Sequence, residues 1–387
     1  MDRPMKAIGL MSGTSLDGID VALIETDGES VASFGPGRTY VYAPETRELL
    51  FQAIADAHDM TDRDARPGIL RRAERLSTER HGQALASFFK EFPAYRDVDV
   101  IGYHGQTVLH RPEIRLTVQL GDGPALVRAV RGMTTGDGAT LVYDMRAADV
   151  AAGGQGAPLV PVYHRALARG LGPPKPLLVL NLGGVANVTY VDGMSDPIAC
   201  DTGPANALVD DFIKSRTDLS FDEDGVIAGW GKVDEAVVER LMTHPFFHRP
   251  PPKSLDRNDF RAWVNEHAGL DAMNTADGAA TLTALSATCV NAVLRFLPAR
   301  PTKLIVAGGG AHNATLLRML SHRTGIETVA ADKVGWSIDD MEAQAFAFLA
   351  VRALKGLPLS FPTTTGVPYP MTGGIVLRPA SRGSDEN

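Results

Sequence analysis

Apolar residues follow two alternating rhythms along this chain. Short runs rich in aliphatic and β-branched residues, Lys6–Met11, Ile19–Glu25, Val98–Tyr103, Leu177–Leu182, Ala186–Val191 and Lys303–Ala307, read as strands, and Arg115–Leu120 reads as extended. Between them Thr46–Asp59, Ala65–Phe92, Asn206–Lys214, Val233–Thr243, Asn313–Thr324 and Asp339–Lys355 read as helices, with apolar positions three and four residues apart. Gly278–Leu294 is free of charge but full of Thr, Ser, Asn and Ala. Its positions Leu282, Leu285, Cys289, Val293 and Phe296 step by three and four, which predicts an amphipathic helix and not a membrane span. The alternation predicts the α/β class.

One pattern occurs twice. A strand, a glycine turn and a second strand form AIGLMSGTSLDGIDVALIE near the start and recur as LLVLNLGGVANVTYV. Gly183 follows Gly13 by 183 − 13 = 170 residues, close to half of the 387. Two hairpins half a chain apart predict a duplicated core, one copy in each of the two domains that the length suggests. Gly170–Pro174 and Arg249–Lys253 read as loops, and the chain beyond Phe361 turns Thr/Gly/Pro-rich.

Composition narrows the function classes. The chain has 38 Lys and Arg against 46 Asp and Glu, a net charge of −8, so no overall basic footprint for nucleic acid exists. The two cysteines, Cys200 and Cys289, are too few and too far apart for a disulfide framework or zinc ribbon, which points to a reduced compartment. The N-terminal apolar run is too short for a secretory signal. Cytoplasmic location with no membrane and no nucleic-acid partner is the expectation. Glycine, at 39 residues, is about 10% of the chain against the usual ~7%.

The informative glycines sit in three turns. In Ser12-Gly13-Thr14-Ser15-Leu16-Asp17-Gly18, small residues between strands expose main-chain N–H groups that can cradle phosphate, although the Walker pattern is missing. Gly183-Gly184 shares the same physics, and Gly308-Gly309-Gly310 lies where a strand runs into a helix, near the positive end of the helix dipole. Each turn alone is an ordinary tight turn; three together point to a nucleotide. Asp201, just before a helix in DTGPAN, reads as a helix cap or as a general base in a shaped loop. Asp144 follows a short apolar run, and Glu342 opens the last helix. His104-Gly105-Gln106-Thr107 reads as a turn whose side chains bond either sugar hydroxyls or the fold itself. His244 and His248 are separated by Pro245-Phe246-Phe247, which spoils a helical metal pair, and the six arginines of 63–80 read as a solvated helix face.

GLMSGTSLDGID, YHGQTVLHRP, YDMRAADVAAGGQGAPLVP, NLGGVANVTY, DTGPAN, AGGGAHN and MEAQAFAFLAVR occur in this order. With them the chain, from Ile8 to Pro379, strongly resembles the anhydro-N-acetylmuramic acid kinases of the sugar kinase/Hsp70/actin-like ATPase superfamily. The resemblance implies two RNase H-like α/β domains around a central cleft, residues 1–130 with 345–387 and residues 131–344. It implies an ATP- and Mg²⁺-dependent enzyme that opens a 1,6-anhydro amino sugar by hydrolysis and phosphorylates O6, as a homodimer serving peptidoglycan recycling. Carried onto this chain, Gly13, Thr14, Ser15, Leu16, Asp17, Gly18, Ile19 and Asp20 would contact the ATP phosphates, Gly183 and Gly184 would form the second phosphate turn, and Gly308, Gly309 and Gly310 would lie against adenosine. Asp201 would be the catalytic base with Glu342 in support. His104, Gln106, Asp144 and Gln155 would line the sugar pocket. The metal ligands stay unassigned.

The chain departs from the family in two places. Ala205 stands where many relatives have glycine, which would strain a left-handed backbone, and PPKSLDRNDF replaces a PPKSTGRE pattern. The residues themselves leave three other readings open: a superfamily kinase for another sugar or a carboxylate, an actin-like nucleotide-gated binding protein, and a glycoside hydrolase.

Overall fold

The structure, a computed structural model, describes residues 3–136, 138–255 and 257–379, and of residues 257–259 the backbone alone. It divides into two compact units, residues 1–170 with 342–387 and residues 171–341. In the first, β1 (Met5–Ser12), β2 (Gly18–Thr26) and β3 (Val31–Val41) form an antiparallel meander. β4 (Val100–Arg111) adds in parallel to β1, β5 (Leu116–Leu120) pairs with β4, and β6 (Thr140–Tyr143) lies parallel to β4. In the second, β7 (Leu177–Leu182), β8 (Val185–Val191) and β9 (Ile198–Pro204) form the meander. β10 (Lys303–Ala307) lies parallel to β7, and β11 (Glu327–Ala330) parallel to β10. β12 (Ile375–Leu377) closes the first sheet antiparallel to β6. The order β6-β4-β1-β2-β3 in one unit is the order β11-β10-β7-β8-β9 in the other. The duplicated hairpin is therefore part of a duplicated RNase H-like sheet.

The unit boundary differs from the expected one. Residues 131–170, assigned from the sequence to the second domain, belong to the first, because β6 pairs in register with β4 from Val100↔Thr140 to Tyr103↔Tyr143. The expected Gly170–Pro174 loop holds the crossing, between Gly170 and Leu171. His104–Thr107 is not a turn but part of β4, which runs on to Arg111 with a positive φ of 74° at Gly105. The predicted helix is there as Thr275–Val293 with a 3-10 turn to Phe296, but it is not amphipathic from Gly278 to Ala287, where every residue is buried. Thr275–Phe296 is long and apolar enough to cross a membrane, yet 67% of its most apolar window is buried in the second unit's core.

The helix Met341–Leu354 lies unusually close to the first sheet. A Cβ at Gly9 would overlap the Ala343 carbonyl oxygen, and one at Gly102 the Phe346 carbonyl oxygen. Small residues on both sides bring helix backbone onto strand backbone, and this sets the height of Glu342 over the sheet. Gly102→Ala should therefore destabilise the protein by about 1–3 kcal/mol, the cost of overpacking a tight core. Chemical denaturation checks it; a loss below about 0.5 kcal/mol, the range of an inert surface change, would show that the close approach is not required.

Candidate active site

In the first unit the β1–β2 turn is shaped from behind by buried polar groups. Ser12 Oγ donates to Gln106 Oε1 at 2.6 Å and lies 2.9 Å from the Tyr42 hydroxyl, and Gln106 Nε2 donates to the Gly13 carbonyl at 3.2 Å. Gln106 is wholly buried, so both ends of its amide serve the turn. The placement favours the fold over the sugar pocket for this residue. Leu16 is also fully buried, with a positive φ of 58°, and Ile19 is 1% exposed, so these two would meet a ligand only through main chain. Thr14, Ser15 and Asp17 are exposed. Asp17 faces Arg47 at 3.4 Å, and Asp20 accepts from Thr39 Oγ1 at 2.6 Å.

Beside this turn lies a half-buried charged cluster of the same unit, packed around buried His104. Arg146 Nε donates to His104 Nε2 at 3.1 Å and its Nη1 to the Gly156 carbonyl at 2.8 Å. Burial, reinforced by the Arg146 charge, holds His104 well below the usual imidazole range, so it is neutral. Burial raises the Glu342 carboxyl; Arg146 opposes that rise and Asp20 adds to it. Asp144, with a φ of 56° just after β6, accepts from Arg63 Nη2 at 2.8 Å. Its carboxyl is raised by burial, with Arg63 pulling the other way. Gln155 is exposed at the tip of the Gly153–Gly156 loop. Its main chain is held there by the Thr365 carbonyl at 2.7 Å and by His110 Nε2 at 2.9 Å, while buried Asp149 accepts from Gly156 N at 2.6 Å.

In the second unit Asp201 is a strand residue of β9 and caps no helix. Its N–H donates to the Lys253 carbonyl at 2.9 Å, and its Oδ2 accepts from the Leu255 N–H at 2.8 Å. Burial pushes its carboxyl up to about 6, against the Leu255 hydrogen bond and the Lys253 charge. Lys253 is itself 8% exposed, donating to the Phe246 carbonyl at 3.1 Å with its ammonium 4.5 Å above the Phe246 ring. Residues 253–255 thus grip Asp201. The β7–β8 turn is tied down by Asn206, whose N–H reaches the Gly183 carbonyl at 3.1 Å and whose Nδ2 reaches the Leu182 carbonyl at 3.1 Å. Ala205 has a φ of −128°, so the feared left-handed strain is not there and its Cβ is accommodated at 1% exposure. A cavity of about 470 Å³ opens against Asn206, Phe221, Gly309, Gly310 and Asn313.

The glycines separate by what a side chain would meet. Gly308 has a φ of 75°, and a Cβ at Gly310 would come within 2.6 Å of Leu182 Cβ; both are needed by the fold. At Gly13, Gly183 and Gly309 a Cβ would find nothing closer than 3.7, 3.8 and 3.9 Å respectively. Their bareness serves no packing, which suits close approach by a phosphate-bearing ligand. Among the described residues no group of three or more His, Cys, Asp or Glu is placed to hold a metal ion. Mg²⁺ bound with a nucleotide needs only one or two carboxylates besides phosphate and water. Asp20 and Glu342 are carboxylates of the first unit of the type such an ion takes, and the Asp20 charge adds to the rise of the Glu342 carboxyl.

A family model described as anhydro-N-acetylmuramic acid kinase matches residues 5–378. The chain belongs to the anhydro-N-acetylmuramic acid kinase family. Anhydro-N-acetylmuramic acid kinases of Azorhizobium caulinodans and Bradyrhizobium diazoefficiens are 58% and 55% identical to it, each over 97% of this chain and 100% of their own length. The kinase from Methylobacterium nodulans is 51% identical over 97% of this chain and 100% of its own. Among solved structures, the 2-hydroxyisocaproyl-CoA dehydratase activator from Clostridium difficile aligns with a TM-score of 0.45 at 12% identity, covering 91% of this chain and 96% of its own, too distant to carry an argument.

Several residues of this anhydro-N-acetylmuramic acid kinase family member escape a reading of the sequence. Arg63 and Arg66 look like two more charges of a solvated helix face, yet Arg63 pairs with Asp144 and Arg66 forks onto Glu74 at 3.0 and 2.7 Å. Asp149 and Lys253 are buried charges and Arg146 a half-buried one; Arg146 donates to the Gly156 carbonyl, Asp149 accepts from Thr365 Oγ1, and Lys253 donates to the Phe246 carbonyl. For Arg146 and Asp149 the one available signal is the density of glycine in YDMRAADVAAGGQG.

Proposed function

We propose that this chain uses ATP to convert 1,6-anhydro-N-acetylmuramic acid and water into N-acetylmuramic acid 6-phosphate and ADP. The observation that carries the mechanism is Asp201, a half-buried carboxylate that desolvation lifts to about 6 and the Leu255 N–H aims. A base near neutrality removes a proton from water without being locked in either state. Asp201 takes that proton as the water oxygen bonds to the anomeric carbon. The bond from that carbon to O6 breaks, and O6 takes the γ-phosphoryl group as its bond to ADP breaks. The base stands opposite the departing oxygen, as in an inverting glycosidase. Here capture by phosphorus replaces the acid that would otherwise protonate O6.

Phosphoryl transfer asks for positioning and charge neutralisation. The main-chain N–H groups around Gly13, Gly183 and Gly309 would supply the first, with adenosine in the cavity beside Gly309. Mg²⁺, when bound with the nucleotide, neutralises phosphate charge, and Asp20 and Glu342 would hold it. His104, Asp144 and Gln155 would face the sugar. The reading carries with it a cytoplasmic place in peptidoglycan recycling and a homodimer. Incubating purified protein with ATP, magnesium and the anhydrosugar should yield the 6-phosphate, identified by mass. ADP release without it, or ring opening without ATP, overturns the proposal.

A further inference from the structure

Asp149 is a buried carboxylate that the mechanism does not use. It is 2% exposed on the short helix Ala147–Ala151. Its Oδ1 accepts from the Gly156 N–H at 2.6 Å, and its Oδ2 accepts from Thr365 Oγ1 at 2.6 Å and from Ser360 Oγ. Ser360 and Thr365 are themselves buried, and they lie 211 and 216 residues further along the chain. A carboxylate taken out of water needs such donors around it, so it ties together the segments that supply them.

One of those segments is the Gly153–Gly156 loop. The Gly154 N–H donates to the Asp149 carbonyl at 2.9 Å, the Gln155 N–H to the Thr365 carbonyl at 2.7 Å, and the Gly156 N–H to the Asp149 carboxylate. His110 Nε2 takes the Gln155 carbonyl and Arg146 the Gly156 carbonyl. A Cβ at Gly154 would come within 2.5 Å of Val367 Cγ1, so the loop lies directly on the chain that follows Thr365. Successive N–H groups left free can cradle an anion. Here all three are spent inside the protein, which sets this loop apart from the turn at Gly13. What remains unspent is the Gln155 side chain, exposed and without a hydrogen-bond partner among the described residues. A loop with its main chain tied down and one polar side chain free is built to present that side chain.

We infer that Ser360 and Thr365 are positioning residues of the active site: through Asp149 they brace the Gly153–Gly156 loop so that Gln155 meets the substrate in one orientation. This rests on the reading that Gln155 faces the sugar, and it adds a control point that does not itself touch the substrate. Thr365→Val removes the Oγ1 donor but keeps the shape and the carbonyl that takes the Gln155 N–H. It should raise the sugar KM about tenfold with the ATP KM within about twofold, because a misplacement of about 1 Å can cost up to about 10². Ser360→Ala removes the other hydroxyl and should act in the same direction. Thr365→Ser retains the hydroxyl and should stay within about twofold of wild type. In a Gln155→Ala background Thr365→Val should change the sugar KM by less than about twofold, since the side chain it positions is gone. A merely structural role predicts neither the rescue nor this loss of effect. Amide exchange at Gly154, Gln155 and Gly156 in the ligand-free protein should quicken in Thr365→Val.

A sugar KM unchanged in folded Thr365→Val, a rise that persists in full without the Gln155 side chain, or loop amides that exchange no faster would overturn the inference. Calorimetry of the anhydrosugar separates it from the proposed function. Binding to wild type that weakens in Thr365→Val supports the brace even where turnover fails. Binding unaltered in Thr365→Val overturns the brace alone, and absence of binding to wild type overturns both.

Discussion

Asp201→Asn should lower turnover by about 10²–10⁴, the usual worth of a general base, while ATP affinity stays near that of wild type. Activity within about tenfold of wild type would remove Asp201 from the role. The same substitution should stabilise the protein, with a definite pH dependence. The folded carboxyl is lifted from 3.8 to about 6, so the folded state holds its proton more tightly than the unfolded state. Above pH 6 the ionised, half-buried Asp201 therefore costs stability, up to about 3 kcal/mol at 1.36 kcal/mol per pH unit. The cost shrinks as pH falls through 6 and is gone near 4. The neutral amide of the variant would carry no such cost, so its advantage at pH 8 should fade by pH 5 and vanish near 4 in thermal denaturation. A pH-independent difference would mean that burial of charge is not what lifts the group. In the wild type, kcat/KM should fall on the acid side with a midpoint near 6.

The second large effect concerns the bare glycines. Gly13→Val and Gly309→Val should weaken ATP binding by about tenfold or more, because each side chain enters space that the fold leaves open. Stability should change little, since a Cβ at Gly13 meets only Ser15 Oγ at 3.7 Å and one at Gly309 only Asn206 Nδ2 at 3.9 Å. Gly310→Ala should do the reverse and cost about 1–3 kcal/mol of stability against Leu182. Isothermal titration with a non-hydrolysable ATP analogue, beside chemical denaturation, reads both. An unchanged nucleotide dissociation constant in the two Val variants would remove these turns from the phosphate path.

Much of the fold was legible because its central strands are buried on both faces. β1, β7, β10 and the Val100–Tyr103 start of β4 read as apolar runs for that reason, whereas the polar His104–Thr107 continuation of β4 reads as a turn. β3 escaped because it is an edge strand with mostly exposed or half-exposed residues and Gly35-Pro36-Gly37 inside it. β9 escaped because Asp, Gly and Pro in IACDTGP read as loop. The site was legible in part for the same kind of reason. A glycine turn announces itself locally, whereas Gln106 bonding a sugar and Gln106 bonding the Gly13 carbonyl look alike in one dimension. Arg63 found its partner 81 residues away.

By itself the sequence determined the α/β alternation, the repeated hairpin and the three glycine turns, because backbone period and side-chain absence are local properties. The family motifs added the chemistry expected of those turns. Only the tertiary structure decided that 131–170 belongs to the first unit, that a side chain at Gly309 would enter open space while one at Gly310 would meet Leu182, and that Asp201 holds its proton to about 6. Strand pairing, close packing and loss of water are set by residues distant in the chain, and no window of sequence contains both partners.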